Sequence, residues 1–328
     1  MDVHVAMVGE PTPEYINMIK LLLYSLRKNG GALSQAPVTI AINAAPMPEA
    51  DQRALRRLGP VTIRTMPRQH GDPFADKFNA LYAVEDEYDV LIYLDCDVVI
   101  LGDLAGMVRG VDADQAFFQA RTIGEAGTRS AGPYESLVRE QVASVDEPLA
   151  TYSDPRFPTD YPLFNGGVMV LTQKAATIIR EEAPEISYAL YARRSRESVH
   201  SLSQMLAEVW HRIQDRFFPD VGAKSTYEYW MTEQIGVALS VLKHDVDYDI
   251  LDPRFNWVHD QHPEEGPPPA VYHYMEGRHD IDRTRLFTGA WIDEYLNSES
   301  PMPRALATLA RTYAAEAPLS SKAERTPY

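Results

Sequence analysis

Short apolar runs alternate with amphipathic helical patterns through the first hundred residues of the chain. The alternation predicts helices at 15–28 and 77–84, and strands at 3–8, 38–42, 61–66 and 90–94. The last of these, Val90–Leu94, is apolar throughout, which is typical of a strand buried on both faces. Strands that alternate with helices in this way predict an α/β fold with a parallel sheet and helices on both sides.

The regular alternation fades beyond residue 110. A segment at 122–161 is rich in Gly, Ser, Asp and Pro, which is typical of an insertion over a sheet edge. Later patterns predict a strand at 167–171 and helices at 173–182, 186–217 and 229–242. A Pro-rich loop follows at 264–269, and the small, polar composition from residue 301 onward predicts a peripheral tail.

Composition and charge exclude several classes of protein. Hydrophobic residues make up 45% and charged residues 24%, as in an ordinary globular protein. The formal net charge is -16, with no basic stretch, so we expect no nucleic-acid partner. No run approaches the ~20 apolar residues that span a bilayer, and no signal-like segment begins the chain. With Cys96 as the only cysteine, we expect a cytoplasmic protein, for which a homo-oligomer stays open.

One acidic triplet stands out by its context. The pattern Asp-x-Asp recurs in this chain, but Asp95-Cys96-Asp97 directly follows the apolar run Val90–Leu94. Carboxylates at the end of a central strand lie where open α/β sheets bind ligands. Mn²⁺ or Mg²⁺ would offset their mutual repulsion and could bridge them to a diphosphate. The alternative is a turn whose aspartates cap a helix near Asp103. We expect the triplet at 112/114 to lie in a loop, and those at 245/247 and 247/249 to lie in an exposed strand.

The residues around the triplet resemble a known family. Tyr93–Leu104, with the sequence YLDCDVVILGDL, resembles the nucleotide-sugar motif of glycosyltransferase family 8, the retaining enzymes of the GT-A (Rossmann-like) fold that include glycogenin and bacterial galactosyltransferases. Further elements follow in the family's order, so that the resemblance spans about residues 3–280. They are the Phe-Asn-x-Gly strand at Phe164–Leu171, the acidic-Gln pair in Thr232–Gln234, the Asn-containing turn Phe255–Trp257 and the His…Gly element His273–Gly277.

The closing element departs from the family's pattern. Gly277 comes one residue later than in the family, Arg278 stands near the basic position, and no Pro-Trp follows. The resemblance therefore implies a distant relative with the GT-A fold, an α/β fold with a mixed, mostly parallel central sheet flanked by helices.

The resemblance implies a metal-dependent, retaining transfer of a sugar from a nucleotide-diphosphate sugar, with UDP as the expected nucleotide, to an acceptor that the sequence does not identify. The implied metal ligands for Mn²⁺ or Mg²⁺ are Asp95, Asp97 and His273, and the implied catalytic residues are Gln234 and Glu233. The implied donor-binding residues are Met7, Val8, Gly9, Lys77, Asp95, Cys96, Asp97, Asn165, Gly166, Gly167 and Arg278.

This resemblance also implies the domain organisation. We expect a single catalytic domain at 1–290 and a C-terminal helical or tail segment at 291–328. Within the domain, we expect a nucleotide-binding half at about 1–110, an acceptor or insertion region at about 111–230 and a closing donor-site segment at about 231–290.

Several of these residues have an ordinary structural interpretation as well. A histidine at the end of a strand is often a packed residue rather than a ligand. The pair Gly166-Gly167 could form a bulge. Glu233 would be favourable at the start of a helix because of the helix dipole alone, and Lys77 could be solvated.

Three other functions stay open. A sugar nucleotidyltransferase carries a Gly-rich loop ending in Gly-Thr-Arg after its first strand, whereas Gly127–Arg129 lies far downstream of that place. An inverting transferase of the same fold would use Glu233 as the general base for the acceptor. A catalytically inactive sugar-nucleotide-binding protein would keep the fold and lose either the metal ligands or the catalytic pair.

Overall fold

The computed structural model describes residues 1–68, 75–122, 164–198, 232–258, 268–274 and 286–316. Its strands are β1 (Val3–Gly9), β2 (Val38–Asn43), β3 (Val61–Met66), β4 (Val90–Leu94), β5 (Val98–Ile100), β6 (Phe117–Thr122), β7 (Phe164–Thr172), β8 (Asp247–Ile250), β9 (Trp257–Val258) and β10 (Val271–His273). Its α-helices are α1 (Pro13–Asn29), α2 (Glu49–Arg56), α3 (Asn79–Ala83), α4 (Gln173–Ser198), α5 (residues 232–243), α6 (Gly289–Leu296) and α7 (Pro301–Glu316).

Among the described residues, seven strands in the order β3-β2-β1-β4-β7-β6-β8 form the central sheet of the fold. The pairs β1/β2, β1/β4, β2/β3 and β6/β8 are parallel, whereas β7 is antiparallel to both β4 and β6. A small second sheet has the order β5-β10-β9. The predicted α/β fold with a mixed, mostly parallel sheet flanked by helices is therefore confirmed.

The central strands are buried because both faces of the sheet are covered. Alternate residues point to opposite faces, so Val5 and Met7 of β1 pack in one hydrophobic cluster with α1 and α7. Ala6 and Val8 pack in the other cluster with α3, α4 and α5. This double coverage explains why the central strands appear in the sequence as continuous apolar runs.

The predicted boundary between two helices near residue 184 is wrong. Helix α4 runs without a break from Gln173 to Ser198, with Pro184 inside it. A proline has no backbone N–H, so the carbonyl four residues earlier, that of Arg180, loses its helical partner. The hydroxyl of Tyr82 donates to this carbonyl at 2.6 Å. A contact from outside the helix therefore compensates the lost bond, which no local pattern reveals.

Residues 301–316 of the predicted helical or tail segment form α7, and the prediction that they are peripheral is wrong. Leu306, Leu309 and Tyr313 lie on one helical face and are buried against the core. Tyr313 packs on Tyr24 of α1 with ring centroids 5.0 Å apart, and the Tyr24 hydroxyl donates to Glu316 at 2.7 Å. The helix is therefore part of the folded unit.

Several predicted features lie outside the described residues. They are nearly all of the insertion at 122–161, helical residues 199–217 and 229–231, loop residues 264–267, the segment Gly127–Arg129 and Arg278. In the described part of the chain, none of the helices combines the length and apolar character needed to cross a membrane.

Candidate functional site

The triplet Asp95-Cys96-Asp97 lies where the two sheets meet. Asp95 follows β4, and its backbone N–H donates to the carbonyl of Gly167 on β7 at 2.8 Å. Asp97 precedes β5, and its carbonyl accepts from the backbone N–H of Tyr274, the residue after β10, at 3.1 Å. Hydrogen bonds to both sheets therefore fix the backbone of the triplet, while Cys96 is buried in the core.

Asp95, Asp97 and His273 form a group that could hold a metal ion. One ligand atom from each residue lies within 4.8 Å of the other two. His273 Nε2 is 3.2 Å from Asp97 Oδ1, with 6% of the histidine side chain and 22% of the aspartate side chain exposed. Two carboxylates and one imidazole are a donor set that fits Mn²⁺. Because part of the Asp97 side chain is exposed, an ion can reach these ligands from solvent. The residues present therefore fit a divalent cation.

The surroundings of Asp97 favour the ionised form of its carboxyl group. Burial by itself raises the pKa of this group, but the adjacent His273 and the more distant ammonium of Lys77 lower it, and the net pKa lies below the usual value. A metal ligand must be deprotonated to bind, so this shift favours the form that can coordinate a cation.

Lys77 joins two acidic residues of the site. Its Nζ is 2.8 Å from Asp95 Oδ2 and 3.0 Å from Glu233 Oε1, and these side chains are 17%, 19% and 7% exposed in that order. Burial lowers the pKa of Lys77, but the two carboxylates outweigh burial and raise it above its usual value. The structure therefore places Lys77 inside the site as an ammonium ion, not on the solvated surface.

The second oxygen of Asp95 also has a partner. The hydroxyl of Tyr93 donates to Asp95 Oδ1. Burial, followed by the nearby charge of Asp95, raises the pKa of Tyr93 well above its usual value, so the phenol stays a donor. The sequence analysis did not assign a role to Tyr93, although its position two residues before Asp95 puts both side chains on one face of the strand.

Gly166 and Gly167 allow side chains to approach the backbone of β7 closely. A Cβ at Gly166 would lie 2.9 Å from Glu233 Oε1 and 3.0 Å from Lys77 Nζ. A Cβ at Gly167 would lie 2.3 Å from Cε1 and 2.5 Å from Nδ1 of the His273 ring. Any larger residue at 167 would therefore displace His273.

A chain of amides supports the other side of the His273 ring. His273 Nδ1 lies 3.2 Å from Asn256 Oδ1. Asn256 Nδ2 donates to Asn165 Oδ1 at 2.8 Å, and the same oxygen accepts from the backbone N–H of Gly167 at 2.9 Å. The structure thus brings Asn165 and Gly167 together with the candidate metal ligands, and it adds Asn256, to which the sequence analysis assigned no chemistry.

Gln234 follows Glu233 in the first described turn of α5, and its side-chain oxygen lacks a hydrogen-bond partner in the described part of the chain. Its Oε1 is buried and has no hydrogen-bond partner among the described residues. A buried polar atom without a partner is costly and is often explained by a ligand or a catalytic role. The amide oxygen is therefore available to a bound molecule.

The structure places Met7, Val8 and Gly9 in β1, with the side chains of Met7 and Val8 buried in the two cores. A donor contact from these residues would have to use the backbone. Directly after β1, Glu10 pairs with Arg68 at 2.7 Å and accepts from Asn43 Nδ2 at 3.3 Å. Polar side chains therefore surround the carboxyl end of β1, which the sequence analysis did not predict.

Comparison with solved structures identifies the fold. The galactosyltransferase LgtC in complex with donor and acceptor sugar analogues superposes with a TM-score of 0.50 and 15% identity, covering 94% of this chain and 95% of that chain. An active-site mutant of LgtC, with glutamate in place of a glutamine, gives a TM-score of 0.50 at 14% identity over the same shares. The chain has the GT-A fold. No protein-family model matches the sequence, and no curated protein does either.

Proposed function

We propose that the chain is a metal-dependent glycosyltransferase that moves a sugar from a nucleotide-diphosphate sugar, with UDP as the nucleotide, to an acceptor hydroxyl with retention of anomeric configuration. The observation that carries the proposal is the grouping of Asp97 and His273, 3.2 Å apart, with Asp95 beside them at the end of β4. The GT-A fold and the family resemblance of the triplet support the same activity.

Asp97 and His273 would hold Mn²⁺ or Mg²⁺ through Oδ1 and Nε2, with Asp95 as the third ligand. When bound, the cation supplies positive charge that neutralises the diphosphate and makes it a better leaving group. The proposed roles of Gly166 and Gly167 are to keep β7 free of side chains so that the sugar and the His273 ring can lie close to its backbone.

Lys77 would keep the acidic groups of the site in place. Its ammonium contacts one oxygen of Asp95 and one of Glu233, so it prevents the two carboxylates from repelling each other.

Gln234 would face the reacting carbon of the sugar. In the proposed transfer, the bond between the anomeric carbon and the diphosphate oxygen breaks, and the acceptor oxygen bonds to the same carbon from the same face. The acceptor proton goes to the departing phosphate oxygen. The unpartnered Oε1 of Gln234 can stabilise the positive charge that develops at the anomeric carbon. The LgtC mutant supports the choice of residue type, because its altered active-site residue is also a glutamine.

An activity assay with a matched pair of variants tests this proposal. UDP-sugars are incubated with the protein and Mn²⁺, and released UDP is measured for the wild type, Asp97→Asn and Asp112→Asn. Asp112 belongs to another Asp-x-Asp triplet and lies exposed in a loop. We expect turnover that depends on Mn²⁺ in the wild type and in Asp112→Asn, and its loss in Asp97→Asn. Equal metal-dependent turnover in all three proteins would contradict the proposal.

Two further readouts separate the alternatives. Proton NMR of the transferred sugar distinguishes an α from a β product, so an inverted product would overturn retention. A nucleotidyltransferase would release pyrophosphate from a nucleoside triphosphate and a sugar phosphate, whereas the proposed enzyme would not.

A further inference from the structure

The orientation of two buried amides follows from a single backbone contact. The backbone N–H of Gly167 can only donate, so the Asn165 side-chain atom 2.9 Å away is the oxygen. The Asn256 atom that lies 2.8 Å from this oxygen is therefore the NH₂ group. The other end of the Asn256 amide, its Oδ1, must then face His273 Nδ1 at 3.2 Å.

This orientation fixes the hydrogen on the histidine ring. Asn256 Oδ1 can only accept, so Nδ1 of His273 carries the proton. A neutral imidazole has one N–H, which leaves a lone pair on Nε2, the atom that lies 3.2 Å from Asp97 Oδ1. Asn256 is 0% exposed and His273 4% exposed, so the Asn256 amide is shielded from bulk water.

The gap between His273 Nε2 and Asp97 Oδ1 takes one positive partner, which is a second ring proton when the imidazole is charged or a cation that replaces this proton. Neighbouring ligands of an octahedral cation bound at ~2.1 Å lie about 3.0 Å apart. The spacing of His273 Nε2 and Asp97 Oδ1 is close to that value. The protein therefore presents both atoms at a separation that fits a divalent cation.

We propose that Asn256 is a positioning residue that fixes the Nδ1–H tautomer of His273 and thereby directs Nε2 at a divalent cation bound to Asp97. The inference rests on the proposed function only in taking a cation to bind there. The backbone of Asn256 is itself held, because Arg121 Nη1 donates to its carbonyl at 2.7 Å and its own N–H donates to Pro253 at 3.2 Å. Two contacts thus hold the backbone of Asn256, and the contact with Asn165 holds its side-chain amide.

The first test reads the tautomer directly in the wild-type protein without metal. Nitrogen-15 NMR of the histidine rings, at a pH where His273 is neutral and with His273→Gln to assign its signals, distinguishes a protonated Nδ1 from a protonated Nε2. We expect Nδ1–H. A neutral His273 that carries its proton on Nε2 would overturn the proposal without any variant of Asn256.

The second test measures Mn²⁺ affinity by electron paramagnetic resonance, counting free Mn²⁺ during a titration. Asn256→Ala should weaken binding about 10- to 100-fold, the usual cost of removing the partner of a metal-bound histidine. Asn256→Asp should lose less affinity than Asn256→Ala, because a carboxylate can accept from Nδ1–H although it no longer donates to Asn165 Oδ1. Equal losses in both variants, or no loss in Asn256→Ala, would overturn the proposal.

A control variant separates positioning from general destabilisation. Asn29 donates to the carbonyl of Ile100 on β5, in the same small sheet as His273, but does not contact the ring. Asn29→Ala should therefore leave Mn²⁺ affinity unchanged, and circular dichroism of each variant checks folding. A loss in Asn29→Ala as large as that in Asn256→Ala would contradict a specific role for Asn256.

The metal-affinity tests of Asn256 and the activity assay of the proposed function can fail independently of each other. If Mn²⁺ affinity depends on Asn256 but no nucleotide sugar is turned over, the positioning role stands and the transferase activity fails. If nucleotide sugars are turned over and Mn²⁺ affinity is the same in the wild type and in Asn256→Ala, the activity stands and the positioning role fails.

Discussion

His273 Nε2 lies 3.2 Å from Asp97 Oδ1 because the two residues occupy paired ends of antiparallel strands. His273 is opposite Val98 in the pairing of β10 with β5, and the residue after His273 donates its N–H to the Asp97 carbonyl. Strand register therefore brings together two ligands that are far apart in sequence. Any change that preserves this register but moves one side chain should affect metal binding more than folding.

Gly167→Ala should move the His273 ring. The new Cβ would lie 2.3 Å from the ring, far inside normal contact distance, so the ring must leave its position. We expect Mn²⁺ affinity to fall at least about 10-fold, as when a metal-bound histidine loses its orientation, measured by the same free-Mn²⁺ titration.

Gly102→Ala is the matched control, because its Cβ would have no neighbour closer than 3.5 Å. Unchanged affinity in Gly167→Ala would show that the ring does not need this space.

Lys77→Met should destabilise the protein by about 3 kcal/mol, the usual cost of breaking a buried ion pair. The change leaves the carboxylates of Asp95 and Glu233 without their shared ammonium. Urea denaturation measured without metal gives the free energy of unfolding.

The comparison variant for this prediction is Arg64→Met, which removes a more exposed pair with Glu85. Its cost should stay below about 1 kcal/mol. If the two variants lose the same stability, Lys77 does not hold a buried charge cluster together.

Gln234→Ala should lower kcat about 100- to 1000-fold while leaving Mn²⁺ affinity and the melting temperature nearly unchanged. The buried Oε1 of Gln234 has no partner among the described residues, so its removal breaks no hydrogen bond there. Steady-state kinetics with UDP-sugar and Mn²⁺ measure the effect. Gln119→Ala, which removes a half-buried amide on β6, serves as the control. A kcat equal to wild type in Gln234→Ala would exclude a catalytic role.

Tyr313→Ala should cost about 3 kcal/mol of stability without changing Mn²⁺ affinity. Tyr313 is 1% exposed and packs on Tyr24, so its truncation leaves a cavity between α7 and α1. Thermal and urea denaturation measure the loss. A cost below about 1 kcal/mol would mean that α7 is peripheral, as its sequence suggests.

Local patterns predicted β1, β4 and most of β7, because burial on both faces of these strands leaves mainly apolar stretches. They did not predict β5, β6 or β9. The same context singled out Asp95 and Asp97, since carboxylates that end a buried strand are conspicuous. The burial of helix α7 was missed because its apolar face is made partly of alanines, which the sequence analysis treated as small tail residues.

Tertiary partners could not be predicted in the same way. The contact of Lys77 with Glu233, the orientation of Asn256 and the bond from Tyr82 to Arg180 all join residues from separate elements. A local pattern carries no information about such pairs. The motif order pointed to Asn165 and His273, but only the structure shows the hydrogen-bonded chain through Asn256 that connects them.

Isothermal titration calorimetry of UDP tests the central claim most directly, because UDP carries the diphosphate that the cation must hold whichever sugar or acceptor is used. We expect UDP to bind the wild type in the presence of Mn²⁺, and to bind at least about 100-fold more weakly in EDTA or to Asp97→Asn, because the cation neutralises the diphosphate charge. The same UDP affinity with and without Mn²⁺, or in Asp97→Asn, would contradict a metal-held nucleotide at this site.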